Sequence, residues 1–129
     1  MKYKLFGFLI NNDIQLDIAN RRLTRIYTTS DKSVFFATVT LNETMVRLLV
    51  CLLENARHQE VSKEHIIKSV WDEQDHFSSN QRLWQVIKEL KLKLEAIGLP
   101  RDFIFAIKGI GYSLSNKVIT PLLYEHVTP

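Results

Sequence analysis

The side chains that could break bonds or hold a metal ion are few, and their spacing does not suit either task. His58, Glu60 and His65 are neighbours in sequence, but they match neither the His-Glu-x-x-His zinc motif nor a cysteine-based site. His76 and His126 stand alone and read as surface histidines. Ser62, Ser78 and Ser79 sit where helices should begin and read as caps, with no base–nucleophile pair beside them. Gly109 and Gly111 form a Gly-x-Gly without the third glycine of a nucleotide loop, so a turn is expected there. Cys51 is the single cysteine; it cannot form an internal disulfide, and it lies in an apolar helical stretch as a core residue would. The expectation is a protein that is no enzyme and needs no metal or cofactor.

Residues 81–92 suggest chemistry of another kind. Leu83, Ile87, Leu90, Leu94 and Ile97 recur at steps of four and three, one apolar stripe along a helix. At about 100° per residue the opposite face carries Gln81, Gln85, Lys88 and Leu92, flanked by Arg82, Trp84, Glu89 and Lys91. Glutamine amides pair with adenine edges, Lys and Arg reach guanine or phosphate, and Trp or Leu touches a thymine methyl or a sugar. The plainer alternative is a solvated face with ordinary charge pairs. Trp84 and Leu92 weigh against it unless they pack on another part of the chain. Downstream, Lys108 stands at a glycine turn with Arg101 before it and Tyr112 after it, a basic hairpin suited to a phosphate ridge or minor groove.

The elements that must position these residues can be read along the chain. Tyr3 to Ile10 is rich in aromatic and aliphatic residues and ends at Asn11-Asn12-Asp13, a turn signal. Ile14, Leu16 and Ile18 alternate with polar neighbours, as in a half-buried strand. Leu23 to Thr28 and Val34 to Val39, joined through Ser30-Asp31-Lys32, complete a four-stranded antiparallel sheet over residues 1–40. The period then changes: Met45, Leu48, Leu49, Leu52 and Leu53 mark a first helix, capped by Thr40 or Asn42. A second helix starts at Ser62 and buries Ile66, Ile67, Val70 and Trp71. Ser78 with Gln81 fits a capping box for the third, and Gly98 and Pro100 stop it. Phe103 to Ile107 and Tyr112 to Leu114 form a hairpin. The expected domain spans residues 1–116, with helices over 41–98 and the hairpin over 103–115; residues 117–129 read as a tail or linker.

Chain length fits one core rather than two, with 129 residues, 46% of them hydrophobic and 24% charged. No apolar run approaches a membrane span, and Asn11, Asn12 and Asp13 interrupt the N-terminal apolar stretch that a signal peptide would need. The net charge of +3 is unevenly placed. Residues 1–40 hold six Lys/Arg against three Asp/Glu, residues 41–75 four against seven, and residues 76–129 seven against four. A basic surface beside an acidic one suits a protein that turns one side to phosphates.

A sheet, three helices and a hairpin, in α+β order, make a winged helix-turn-helix. The residues resemble the OmpR/PhoB-type winged-helix domain over roughly residues 41–115. Leu41-Asn42-Glu43 resembles that family's first-helix start; Val61-Ser62-Lys63-Glu64 with Ile66, Ile67, Val70 and Trp71 resembles its second helix; Lys108-Gly109-Ile110-Gly111-Tyr112 resembles the wing signature. Leu83-Trp84-Gln85-Val86-Ile87 with Leu90 and Leu94 is most similar to the ToxR/CadC-like branch, whose members are often anchored in the inner membrane. The resemblance implies a transcriptional regulator of double-stranded DNA, with the third helix in the major groove and the wing on the neighbouring minor groove. Its contact positions fall on Gln81, Val86, Lys88, Glu89, Lys91, Lys108 and Tyr112, to which the helix face adds Arg82, Trp84 and Gln85. It also implies a cytoplasmic location and a polymerase-contacting loop over residues 72–79, with Asp72 and Ser79 at its ends. Family arginines appear here as Lys88, Glu89, Lys91 and Lys108, and lysine lacks the fork that grips guanine. Binding therefore leans on a homodimer, a tether or a partner regulator. The alternative is an interaction module on the same fold, docking a partner through Trp84, Leu92 and the acidic loop.

Overall fold

The computed structural model describes residues 2–55, 60–71, 80–115 and 118–126. The loop 72–79, the capping-box serine and the histidines at 58 and 76 lie outside these residues.

The chain opens with four antiparallel strands, β1 (Lys2–Ile10), β2 (Ile14–Asp17), β3 (Arg22–Thr28) and β4 (Val34–Thr40). Asn11 and Asn12 both take positive φ, 53° and 66°, while the Asp13 amide donates to the Ile10 carbonyl. Two successive left-handed residues thus turn the chain within a three-residue hairpin loop, and asparagine tolerates that conformation better than most residues. The Asp31 carboxylate accepts from Thr29 and from the Ser33 amide in the β3–β4 turn, and these hydrogen bonds hold its pKa down to about 2.

Three helices follow: α1 (Glu43–Asn55), α2 (Lys63–Val70) and α3 (Asn80–Ala96). Of the two residues expected to cap α1, Asn42 does so, its side-chain oxygen accepting from the Met45 amide at 2.8 Å. The Ser62 hydroxyl accepts from the His65 amide at 3.1 Å and caps α2. Beyond α3 come β6 (Ile104–Ile107) and β7 (Gly111–Leu114), the wing hairpin. The two-residue β5 (Val61–Ser62), not anticipated from sequence, pairs with β7 and makes the wing a three-stranded sheet ordered β5-β7-β6.

Residues 119–126, expected to be tail, form an eighth strand. β8 (Ile119–His126) pairs antiparallel with β1 along its length, so the first sheet has five strands in the order β4-β3-β2-β1-β8, not four. Pro121 obscures this strand in the sequence, because proline cannot donate to a ladder. At the sheet's edge that donor is not needed. Ile119 is buried opposite Ile10 and joins the same core as the helices. That core gathers Leu16 and Leu23 from the sheet, Leu48, Leu49 and Leu52 from α1, Ile66 from α2, and Leu83 and Leu90 from α3. Among the described residues no helix is long and apolar enough to cross a membrane.

Because Ile119 fills the core, Ile119→Ala should destabilise the fold by about 2–5 kcal/mol, the usual cost of truncating a buried branched chain. Urea unfolding followed by circular dichroism measures this; an unchanged midpoint would return residues 119–126 to the status of a tail.

Candidate nucleic-acid interface

The stripe that buries α3 determines what it shows outward. Leu83, Ile87, Leu90 and Leu94 are buried, and Gln81, Arg82, Trp84, Gln85, Lys88, Glu89 and Leu92 are exposed. Trp84 and Leu92 do not pack on the sheet: they stand 54% and 61% exposed. Lys91 and Val86 lie half-buried at the flanks.

Neighbouring side chains organise this face. The Lys88 ammonium lies 5.2 Å from the centre of the Trp84 ring, one turn away, a cation–π pair along the helix. The Gln85 amide nitrogen donates to Glu89 at 3.1 Å. Arg82 points to the other flank and stacks 4.9 Å over the ring of Trp71, the buried residue that caps α2. Arg82 thereby joins the end of α2 to the start of α3.

The C-terminus of α3 is fixed equally closely. The Leu99 amide donates to the Leu94 carbonyl and the Gly98 amide to the Glu95 carbonyl, with Gly98 at φ 103°, which is the Schellman arrangement. Arg25, a charged residue within β3, donates to the Ile97 carbonyl at 3.4 Å and lies 3.1 Å from Asp13. A guanidinium at the negative end of the helix dipole ties α3 to the first sheet. The sequence gives little sign of this role for Arg25, which lies among apolar and hydroxylic residues of a strand that opens on another arginine, Arg22.

The wing stands beside α3. An open groove of about 380 Å³ runs between them, lined by Trp84, Lys88, Lys91 and Leu92 on the helix and by Ala106 and Tyr112 on the hairpin. Lys108 is exposed at the hairpin tip, where the Ile110 amide donates to the Ile107 carbonyl and Gly109 takes φ 78°. Gly111 has a different duty. A Cβ there would sit 1.9 Å from the Val61 carbonyl oxygen, so only glycine lets β7 lie against β5. Tyr112 is only 6% exposed, and burial pushes its phenol pKa up. It supports the groove from beneath rather than standing on the outward face.

Among the described residues no cluster of His, Cys, Asp and Glu could hold a metal ion. Cys51 is buried in α1, which pushes its thiol pKa up.

Residues 37–114 match the family described as "Transcriptional regulatory protein, C terminal". The chain belongs to this family, of the OmpR/PhoB type. It is 37% identical over 82 residues to Protein RcaC of Microchaete diplosiphon, a match that covers 64% of this chain and 12% of that protein. The fold is that of the DNA-binding domain of E. coli CadC (TM-score 0.68, 18% identity, covering 94% of this chain and all of that one). It is also similar to the DNA-binding domain of the response regulator AdeR, solved in complex with an intercistronic region (TM-score 0.60, 14% identity, covering 81% of this chain and 95% of that one).

The two wing glycines predict an order of damage. Gly109→Ala meets no neighbour and should cost about 1 kcal/mol through its positive φ alone, whereas Gly111→Ala meets a backbone oxygen and should cost more. Thermal denaturation of the two variants decides it; equal losses would dissociate wing placement from Gly111.

Proposed function

We propose that this domain binds double-stranded DNA as a sequence-specific regulator of transcription, with the exposed face of α3 in the major groove and the Lys108 tip on the neighbouring backbone and minor groove. One observation carries the reading: a single exposed strip gathers Gln81, Gln85, Lys88 and Trp84 on α3, with the wing and its exposed Lys108 tip across an open groove. A helix of this width fits a major groove, and amides, ammonium groups and an apolar ring are what base edges and phosphates accept. The family, and the solved relatives described as DNA-binding domains, support the same role.

The residues divide the work. Lys88, Lys91 and Lys108 bear the charge that meets phosphates, which orients the domain without selecting sequence. Gln81, Gln85 and Trp84 face the bases. Glu89 sets the Gln85 amide, and Arg82, drawn over Trp71, fixes the helix start as well as adding positive charge. Tyr112 shapes the groove floor. This role belongs in the cytoplasm with the DNA, and the modest number of cations fits two copies sharing paired half-sites.

Affinity for duplex DNA should fall linearly with the logarithm of salt concentration. Lys88→Ala and Lys108→Ala should each weaken binding across all sequences and lower the slope by about one. Fluorescence anisotropy at several salt concentrations measures both. Binding that ignores salt would refute the reading, and a Trp84-dependent protein partner captured without any DNA shift would favour a docking module instead.

A further inference from the structure

Resting on that reading, we propose that α3 selects A·T base pairs, with Gln85 on the adenine edge and Trp84 on the thymine methyl. The first ground is which cation is missing from the outward face. Guanine is best gripped by the two-pronged guanidinium, bidentate to O6 and N7. Within α3 the only arginine is Arg82, and its guanidinium lies over Trp71 on the flank toward α2. The outward face offers lysines instead, which are point charges without a fork.

The second ground is how Gln85 is held. Its amide nitrogen gives one hydrogen to Glu89, which leaves the second hydrogen and the carbonyl oxygen for a partner of this exposed side chain. One donor and one acceptor on a planar amide complement adenine N7 and N6 in the major groove. Glu89 acts here as a positioning residue. It repels phosphate, so a place on a DNA-facing helix needs another justification, and orienting Gln85 supplies one.

The third ground is Trp84. Its ring is more than half exposed, one residue before Gln85, and faces the groove shared with the wing. The thymine C5-methyl is the apolar group a major groove presents. The Lys88 ammonium over the ring keeps the indole in place and carries positive charge beside it. An adenine reader and a methyl reader on adjacent residues address adjacent positions of an A·T-rich step.

The test uses the whole 129-residue chain and a duplex selected from a randomised pool. The enriched core should be A·T-rich. Replacing its thymines one at a time by deoxyuridine removes only the methyl, and one position should lose about fourfold in affinity. Replacing adenines by 7-deazaadenine removes only N7, and one position should lose about fivefold. Trp84→Ala should abolish the first effect and keep the second; Gln85→Ala should do the reverse. Glu89→Ala should shrink the 7-deaza effect while leaving the uracil effect intact, which a merely structural role would not do. A G·C-rich core overturns the proposal. So does an A·T preference unmoved by either analogue, which would mean that DNA shape is being read; in both cases DNA binding itself stands. If no duplex is enriched and none is bound, the parent reading fails with it.

Discussion

The burial of α3's inward stripe is the interaction on which the rest of the molecule depends. Leu83, Ile87, Leu90 and Leu94 occupy one side of the helix and disappear into a core supplied by α1, α2 and the first sheet. Each fully buried aliphatic side chain contributes about 1.5–3 kcal/mol, so rotating the helix by even one residue would expose most of that area. The rotation of α3 about its own axis is therefore set by packing, and so is the set of residues it presents. Gln85, Lys88 and Trp84 face outward because Leu83, Ile87 and Leu90 must face inward.

Rotation alone would leave the helix free to slide and tilt. Three local devices remove that freedom. Arg82 over Trp71 holds the N-terminal end against α2, the Schellman turn at Gly98 ends the helix sharply, and Arg25 on β3 donates to the Ile97 carbonyl just past its last turn. The first sheet is thus more than a lid on the core, since it grips the far end of the helix that carries the interface. The wing is held by a separate contact, the approach of β7 to β5 that Gly111 permits. That contact fixes the wing to the start of α2, where the Lys63 amide donates to the Ile110 carbonyl. Helix and wing are consequently two rigid lips of one groove.

Most of this arrangement was legible in the sequence because its signals are local. The three helices follow from the switch to a period of 3.6, Asn42 and Ser62 are recognisable caps, and the glycine pair marks the wing. What escaped detection is non-local. β8 contains a proline and lacks clean alternation, and becomes a strand only because β1 has a free edge to offer it. β5 is two residues long, too short for any pattern, and exists because β7 lies beside it. Tyr112 looked like a contact residue by its place in the wing motif, but β7 is the central strand of the wing sheet and all four of its residues are buried. On the outward face of α3, the residue types could be read from helical phase, while the pairings Gln85–Glu89, Lys88–Trp84 and Arg82–Trp71 depend on side-chain conformation and on contacts between elements.

Those pairings bear on the replacement of arginines by lysines and a glutamate. A lysine ammonium is strongly hydrated and attracts phosphate from many directions, so it adds affinity with little geometric demand. Placing such charges at Lys88, Lys91 and Lys108 makes the electrostatic part of binding tolerant of sequence. On the proposed reading, discrimination then comes from groups with direction; besides the Gln81 amide, the two that neighbours hold are the Gln85 amide and the Trp84 ring. Both are neutral and flexible in isolation, and a freely rotating group loses part of its contact energy to ordering. Glu89 and Lys88 each hold one of them in place before any DNA arrives. A glutamate that would be a liability as a lone charge facing phosphate is, next to Gln85, a means of converting a mobile amide into a directed one. On the proposed reading, the face gives up the strongest single base contact and obtains selectivity from two weaker groups that are oriented in advance.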